Sequence, residues 1–333
     1  MTRSYAKEKV IMAKHIDILL LCALPASGKS EARRYLASLS PDQCHEQFGI
    51  GHTVQLDDYP YVHMMRRTSE ELRALGHDPV FFDSDNLPMK DPLDWGTLME
   101  LLNEDYHDLL SVNRPAPACA VTWLMERYDA CREKVGAAAF WRDLDGDSRA
   151  KLVEALGPEA KKLLDDKVAE VPDSLEGKTV VVEFARGGRD GSEMPLPDPW
   201  GYQYSLRMLC PEMLAKSCIL YIWVSPEESR RKNDARTDPN DPGSILHHGV
   251  PIEVMMNDYG CDDVEHLLAT SEVPNTVTIK AHGETYHLPL GRFDNRVDLT
   301  TFIREDETAW SEDDVTRLQA GMRAAFDEIF TQL

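Results

Sequence analysis

The triplet Gly28-Lys29-Ser30 is the part of this chain whose residue types and order point most directly to chemistry. Before it, Ile16 to Cys22 form an apolar run of buried-strand character. After it, Ala32, Tyr35, Leu36 and Leu39 make an apolar stripe at helical spacing within Glu31 to Leu39. Strand, tight loop and helix in this order turn the loop N–H groups and the helix N-terminus toward an anion, as in phosphate-binding loops. The loop reads Ala23-Leu24-Pro25-Ala26-Ser27-Gly28-Lys29-Ser30, with Glu31 opening the helix. Ala23, Pro25, Ala26, Ser27, Gly28 and Glu31 are expected beside the phosphates. Lys29 would neutralise the β- and γ-phosphates of a nucleotide, and the Ser30 hydroxyl would hold Mg²⁺. Ala23 stands where the full pattern has its first glycine.

Phosphoryl transfer to a hydroxyl needs charge neutralisation, a metal ion and a carboxylate that takes the acceptor's proton. Asp57 and Asp58 follow the short strand His52 to Leu56, and Glu183 interrupts the apolar run Thr179 to Phe184. In an open parallel sheet, ligands bind beyond the carboxyl ends of the strands. Asp57 is therefore expected as base or metal-side carboxylate, and Glu183 as part of the Mg²⁺ shell, through water. Arginine forks suit phosphate oxygens. Arg230, Arg231, Lys232 and Arg236 lie within one short segment and are expected on a helix forming a lid over the nucleotide. Arg66, Arg67 and Arg186 are acceptor-side candidates. Trp200, Tyr202 and Tyr204 read as packing residues, with stacking on a nucleobase or nucleoside as the alternative. His247-His248 lack a third metal ligand at a recognised spacing.

The elements that must position these residues follow from hydrophobic periodicity. Strands are expected at Ile16–Cys22, His52–Leu56, Thr179–Phe184 and Ser217–Val224. A hairpin is expected from Thr276–Lys280 and Thr285–Leu290 around His282-Gly283. Helical patterns cover Tyr61–Leu75, Asp94–Leu110 and two stretches within residues 115–170, the second interrupted at Gly157-Pro158. Ser225-Pro226 opens another helix, and Ser311 caps a last one with its stripe at Val315, Leu318, Met322, Phe326 and Ile329. Buried strands alternating with helices imply an α/β fold with a parallel sheet covered on both faces.

Composition bounds the partners. The 333 residues carry 36 lysines and arginines against 58 aspartates and glutamates, a net charge of −22. Such a body repels polyanions, so general nucleic-acid binding and binding to anionic membranes are not expected. No apolar stretch reaches the length needed to span a bilayer. Seven scattered cysteines without a CxxC pair fit a reducing, cytoplasmic setting.

Together these pieces resemble the P-loop kinase group that contains uridine kinase, phosphoribulokinase and pantothenate kinase. The resemblance rests on Ala23 to Ser30, on Gln55-Leu56-Asp57-Asp58-Tyr59-Pro60 after the second strand, and on Phe82-Asp83 leading to Pro92-Leu93-Asp94-Trp95. Val181-Val182-Glu183 and the arginine-bearing segment 230–236 extend it. It implies a P-loop nucleoside-kinase-like core over residues 1–112 and 176–270, a helical insertion over 113–175, and a C-terminal hairpin and helix over 271–333 packed on the core. It implies ATP and Mg²⁺ as cofactors, and Lys29, Asp57 and Arg236 as catalytic residues. Asp58, Tyr59, Arg66, Arg67, Asp83 and Arg186 would face the acceptor. The expected activity is transfer of the γ-phosphoryl group to a hydroxyl of a small metabolite such as a nucleoside or sugar derivative. The alternatives are an NTP-binding regulatory ATPase acting through a protein partner, and a phosphotransferase similar to polynucleotide kinases and zeta toxins. The sequence does not assign an oligomeric state.

Overall fold

The computed structural model describes residues 15–236 and 249–333, except for the side chain of Arg236. His247-His248 lie outside the described residues. The elements, in chain order, are β1 (Ile18–Cys22), α1 (Lys29–Ser38), α2 (Pro41–Phe48), β2 (His52–Asp57), α3 (Tyr59–Ala74), α4 (Asp94–Ser111), α5 (Ala120–Val135) and α6 (Gly146–Glu170). Then come β3 (Lys178–Phe184), α7 (Gly201–Met208), α8 (Pro211–Leu214), β4 (Ser217–Trp223), α9 (Pro226–Arg236), α10 (Ile252–Asn257), α11 (Val264–Ala269), β5 (Thr276–Ala281), β6 (Glu284–Asp294) and α12 (Glu312–Phe330).

The strands form one six-stranded sheet in the order β2-β3-β1-β4-β6-β5. All neighbours are parallel except β5 and β6. The chain is thus an α/β protein with a mostly parallel sheet. β1 is buried along its whole length because both of its faces are covered. Leu19 and Leu21 pack with Tyr35, Phe48, Met322 and Phe326 from α1, α2 and α12. Ile18, Leu20 and Cys22 pack with Met99, Leu102, Tyr202 and Leu206 from α4 and α7. On the outer side of α4, the helices α3, α5 and α6 share a further apolar cluster that includes Tyr61, Leu98, Tyr128 and Leu156. Residues 113–175 therefore pack together with α3 and α4.

One expectation needs correction. The helix around Gly157-Pro158 is not interrupted, for α6 runs unbroken from Gly146 to Glu170 with Pro158 inside it. Asp145 starts it, its carboxylate accepting the N–H groups of Asp147 and Ser148. The expected C-terminal hairpin is present as the antiparallel pair β5 and β6. β6 continues past Leu290 to Asp294 and pairs in parallel with β4, so the hairpin completes the sheet. The α2 helix, with a capping box between Ser40 and Gln43, and the short α7 and α8 were not anticipated.

Candidate functional site

A cleft opens at the carboxyl ends of β1, β2 and β3, where an open α/β sheet places its ligands. The loop between β1 and α1 forms one wall. Its backbone doubles back at Ala26 (φ 58°) and Gly28 (φ 104°), both in the left-handed region. Gly28 is required there on two counts. Its φ disfavours a side chain, and a Cβ would sit 2.5 Å from Thr300 Oγ1.

The loop's carbonyls are taken up by side chains of the loop itself and of distant segments. The Tyr202 hydroxyl accepts the Ala23 N–H at 2.7 Å and lies 3.0 and 3.1 Å from the carbonyls of Ala23 and Phe184. Ser27 Oγ donates to Leu24 O at 2.6 Å, Ser229 Oγ to Pro25 O at 2.7 Å, and Asn295 Nδ2 to Ser27 O at 2.7 Å. By contrast, the N–H groups of Ala26, Ser27, Gly28, Lys29 and Ser30 have no acceptor among the described residues. Anchored carbonyls and free amides at a helix N-terminus make an anion cradle. Lys29 Nζ bends back to Ala23 O at 3.3 Å. Burial lowers the Lys29 pKa, and the carboxylates of Glu183, Asp58 and Asp57 oppose that shift.

The opposite wall carries the carboxylates. Asp57 and Glu183 are register partners at the ends of β2 and β3. Asp57 Oδ1 accepts the Tyr59 N–H at 2.8 Å. Burial, then Glu183 and Asp58, push the Asp57 carboxyl up to about 7. Glu183 is paired with Arg33 of α1 at 2.5 Å, and the same guanidinium stands 3.8 Å from Asp57. Asp58 has a different environment. Its Oδ2 lies 2.6 Å from the fully buried Arg186, which also donates to Ser205 Oγ at 3.0 Å and lies between the rings of Trp95 and Phe184. Ser30, Asp57 and Glu183 are hard oxygen donors on one cleft, the donor set that suits Mg²⁺.

The structure brings most of the expected residues together. Pro25, Ala26, Ser27, Gly28, Lys29, Ser30, Glu31, Asp57, Asp58, Tyr59, Arg66 and Glu183 line the cleft. Others lie elsewhere. Ala23 is wholly buried behind the loop, and Arg186 lies beneath the cleft, tied to Asp58. Arg67 is drawn into surface pairs with Glu70, Glu71 and Glu159. Asp83 is exposed and paired with Lys90. Of the expected arginine lid, the described cations Arg230, Arg231 and Lys232 do not line the cleft, and the side chain of Arg236 lies outside the described residues. Arg230 pairs with Asp190, Arg231 with Glu228, and the buried Lys232 with Asp298 and the carbonyl of Asn295. What α9 brings to the loop is Ser229. Tyr202 is a buried anchor, and neither Trp200 nor Tyr204 lines the cleft.

Sequence reasoning missed Arg33, Trp95, Asp258 and Tyr259, which also line the cleft, and the anchors Ser229 and Asn295. Arg33 was within reach, since it lies one helical turn after Lys29 and so on the same face of α1. The others come from distant segments. No family model matches the chain, and comparison with curated proteins and with solved structures gives no match. No helix among the described residues is long and apolar enough to cross a membrane.

Proposed function

We propose that this protein is an ATP- and Mg²⁺-dependent kinase that transfers the γ-phosphoryl group to a hydroxyl of a small metabolite. The observation that carries the reading is the β1–α1 loop, with its carbonyls anchored and its amides free, facing Asp57 and Glu183 across one cleft. The amides of residues 26–30 bind phosphate oxygens, and Lys29 leaves Ala23 O to reach the β- and γ-phosphates. Ser30 and Glu183 hold the Mg²⁺, which neutralises charge on the transferring group. For Glu183 this requires Arg33 to give up part of its pairing, which frees a guanidinium for the phosphates. Asp57 takes the acceptor hydroxyl's proton. Asp58 stays paired with Arg186 and fixes the start of α3.

The test is ADP release from ATP and Mg²⁺ against a panel of hydroxyl compounds. Stimulation by one class is expected. Lys29→Ala should lower turnover by about 10²–10³-fold or more, the usual worth of a preorganised charge-stabilising group. Asp57→Asn should lower kcat by about 10²–10⁴-fold. Full activity in Lys29→Ala would overturn the reading. Slow ATP hydrolysis indifferent to every acceptor would favour a regulatory ATPase instead.

A further inference from the structure

His107 of α4 meets Cys210 and Glu212, the residues that begin α8. One donor atom of each lies within 4.8 Å of the other two: an imidazole nitrogen, the thiol sulfur and a carboxylate oxygen. His107 Nε2 stands 4.0 Å from Glu212 Oε2. His107 and Glu212 are exposed, whereas Cys210 is buried. A surface ion pair would use the imidazole and the carboxylate and leave the sulfur unused.

The backbone that carries the sulfur is held from two other elements. Asn103 lies one turn before His107 on the same face of α4. Its Nδ2 donates to the Met208 carbonyl at 2.8 Å, and its Oδ1 accepts the Cys210 N–H at 2.8 Å. From the turn joining β5 to β6, His282 Nε2 donates to the Leu209 carbonyl at 2.8 Å. Met208, Leu209 and Cys210 are thus each tied by a side chain, which sets the Cys210 backbone against α4. The imidazole and the carboxylate keep the freedom of exposed side chains. A tetrahedral zinc-type ion wants its donors about 3.3–3.6 Å apart. Small rotations of His107 and Glu212 reach that spacing.

We propose that His107, Cys210 and Glu212 bind a divalent ion of the zinc type, with water in the fourth position. Thiolate and imidazole select such an ion over Mg²⁺ and Ca²⁺, which prefer oxygen. Binding releases the thiol proton to water and leaves the imidazole neutral, so two anionic ligands balance the ion's charge. His107 follows Trp95, the cleft residue of α4, by twelve positions, about 18 Å along the helix. The site is therefore separate from the phosphoryl-transfer cleft and does not rest on the kinase reading. The ion clasps α4 to the segment that leads into β4.

The test uses the full chain with its cysteines reduced and Co²⁺ as the probe. Cobalt in a zinc site reports a thiolate ligand through a sulfur-to-metal charge-transfer band. The band is expected on adding Co²⁺, to persist in excess Mg²⁺ and to vanish when Zn²⁺ displaces the cobalt. Cys210→Ser should abolish it. His107→Ala and Glu212→Gln alter exposed side chains and leave the packing intact. Each should weaken Co²⁺ binding by about tenfold or more, at least what losing a residue that only orients a ligand costs. If Cys210→Ser does not fold, these two variants decide. Absence of the band, a band that survives Cys210→Ser, or wild-type affinity in His107→Ala or in Glu212→Gln overturns the proposal.

Discussion

Asp57 and Asp58 are adjacent in sequence and burial raises the pKa of both, but they differ in their partners. Asp58 lines the cleft and is closed into an ion pair with Arg186, which lies beneath it. Asp57 faces another carboxylate across a strand pair and holds its proton more tightly for that reason as well as for its burial. Sequence could place both at the end of a strand. It could not divide their roles, because Arg186 is separated from them by 128 residues. The same applies to Asp258. Burial pushes its carboxyl up to about 7 from a usual 3.8, with the Met89 N–H and then Arg66 opposing the shift. Between these two values the folded chain keeps a proton that the unfolded chain has released. This contribution to stability is therefore complete below about 4 and lost as the pH climbs through 7. Asp258→Asn removes that loss. Urea unfolding should show the variant gaining on the wild type between pH 5 and pH 8; an equal difference at both would contradict the expected titration.

At the scale of elements, local pattern served well where one stretch carries the whole signal. β1, the glycine-lysine-serine loop and α1 are contiguous, so strand, turn and helix could be read in one pass. The parallel strands were legible as apolar runs because both faces are buried. Pro158 was misread because local rules make proline a breaker, whereas the packing of Leu152, Leu156, Ala160 and Leu163 into the helical cluster holds α6 continuous. The proline removes a backbone hydrogen bond and crowds the preceding turn. Pro158→Ala is therefore expected to stabilise the protein by about 1–3 kcal/mol, read by chemical denaturation. An unchanged midpoint would mean that the helix has already bent to accommodate the ring. The basic segment of α9 was legible as a helix, and its geometry was not. Its described cations Arg230, Arg231 and Lys232 pair with acids of this chain, and its serine points to the loop.

At the scale of the molecule, the C-terminal part is built into the site's foundation. Asn295 and Thr300 bracket Gly28, and α12 lies against β6 so closely that a Cβ on Gly291 would stand 1.9 Å from the Ala325 carbonyl oxygen. Gly291→Ala must shift a backbone and is expected to destabilise the fold by about 1–3 kcal/mol or more, measured by thermal unfolding. Wild-type stability in this variant would show the helix free to slide. A purely local reading could not foresee that residues near 295 shape a loop near 28, because the two hydrogen-bonded groups are 268 positions apart in sequence.

That distance has a consequence for synthesis. Thr179 bonds back to Ile16 across 163 residues, and Cys218 to Ile18 across 200. Translation at about 5–20 residues per second therefore leaves β1 without its neighbours for roughly ten seconds or more. During that interval the helices α3 to α6 emerge and can bury their own cluster, while an apolar strand waits unpaired and exposed to wrong partners. The loop anchors then leave the ribosome in the order Tyr202, Ser229, Asn295. A prematurely terminated chain would carry the glycine-lysine-serine triplet without the shape that makes it a cradle.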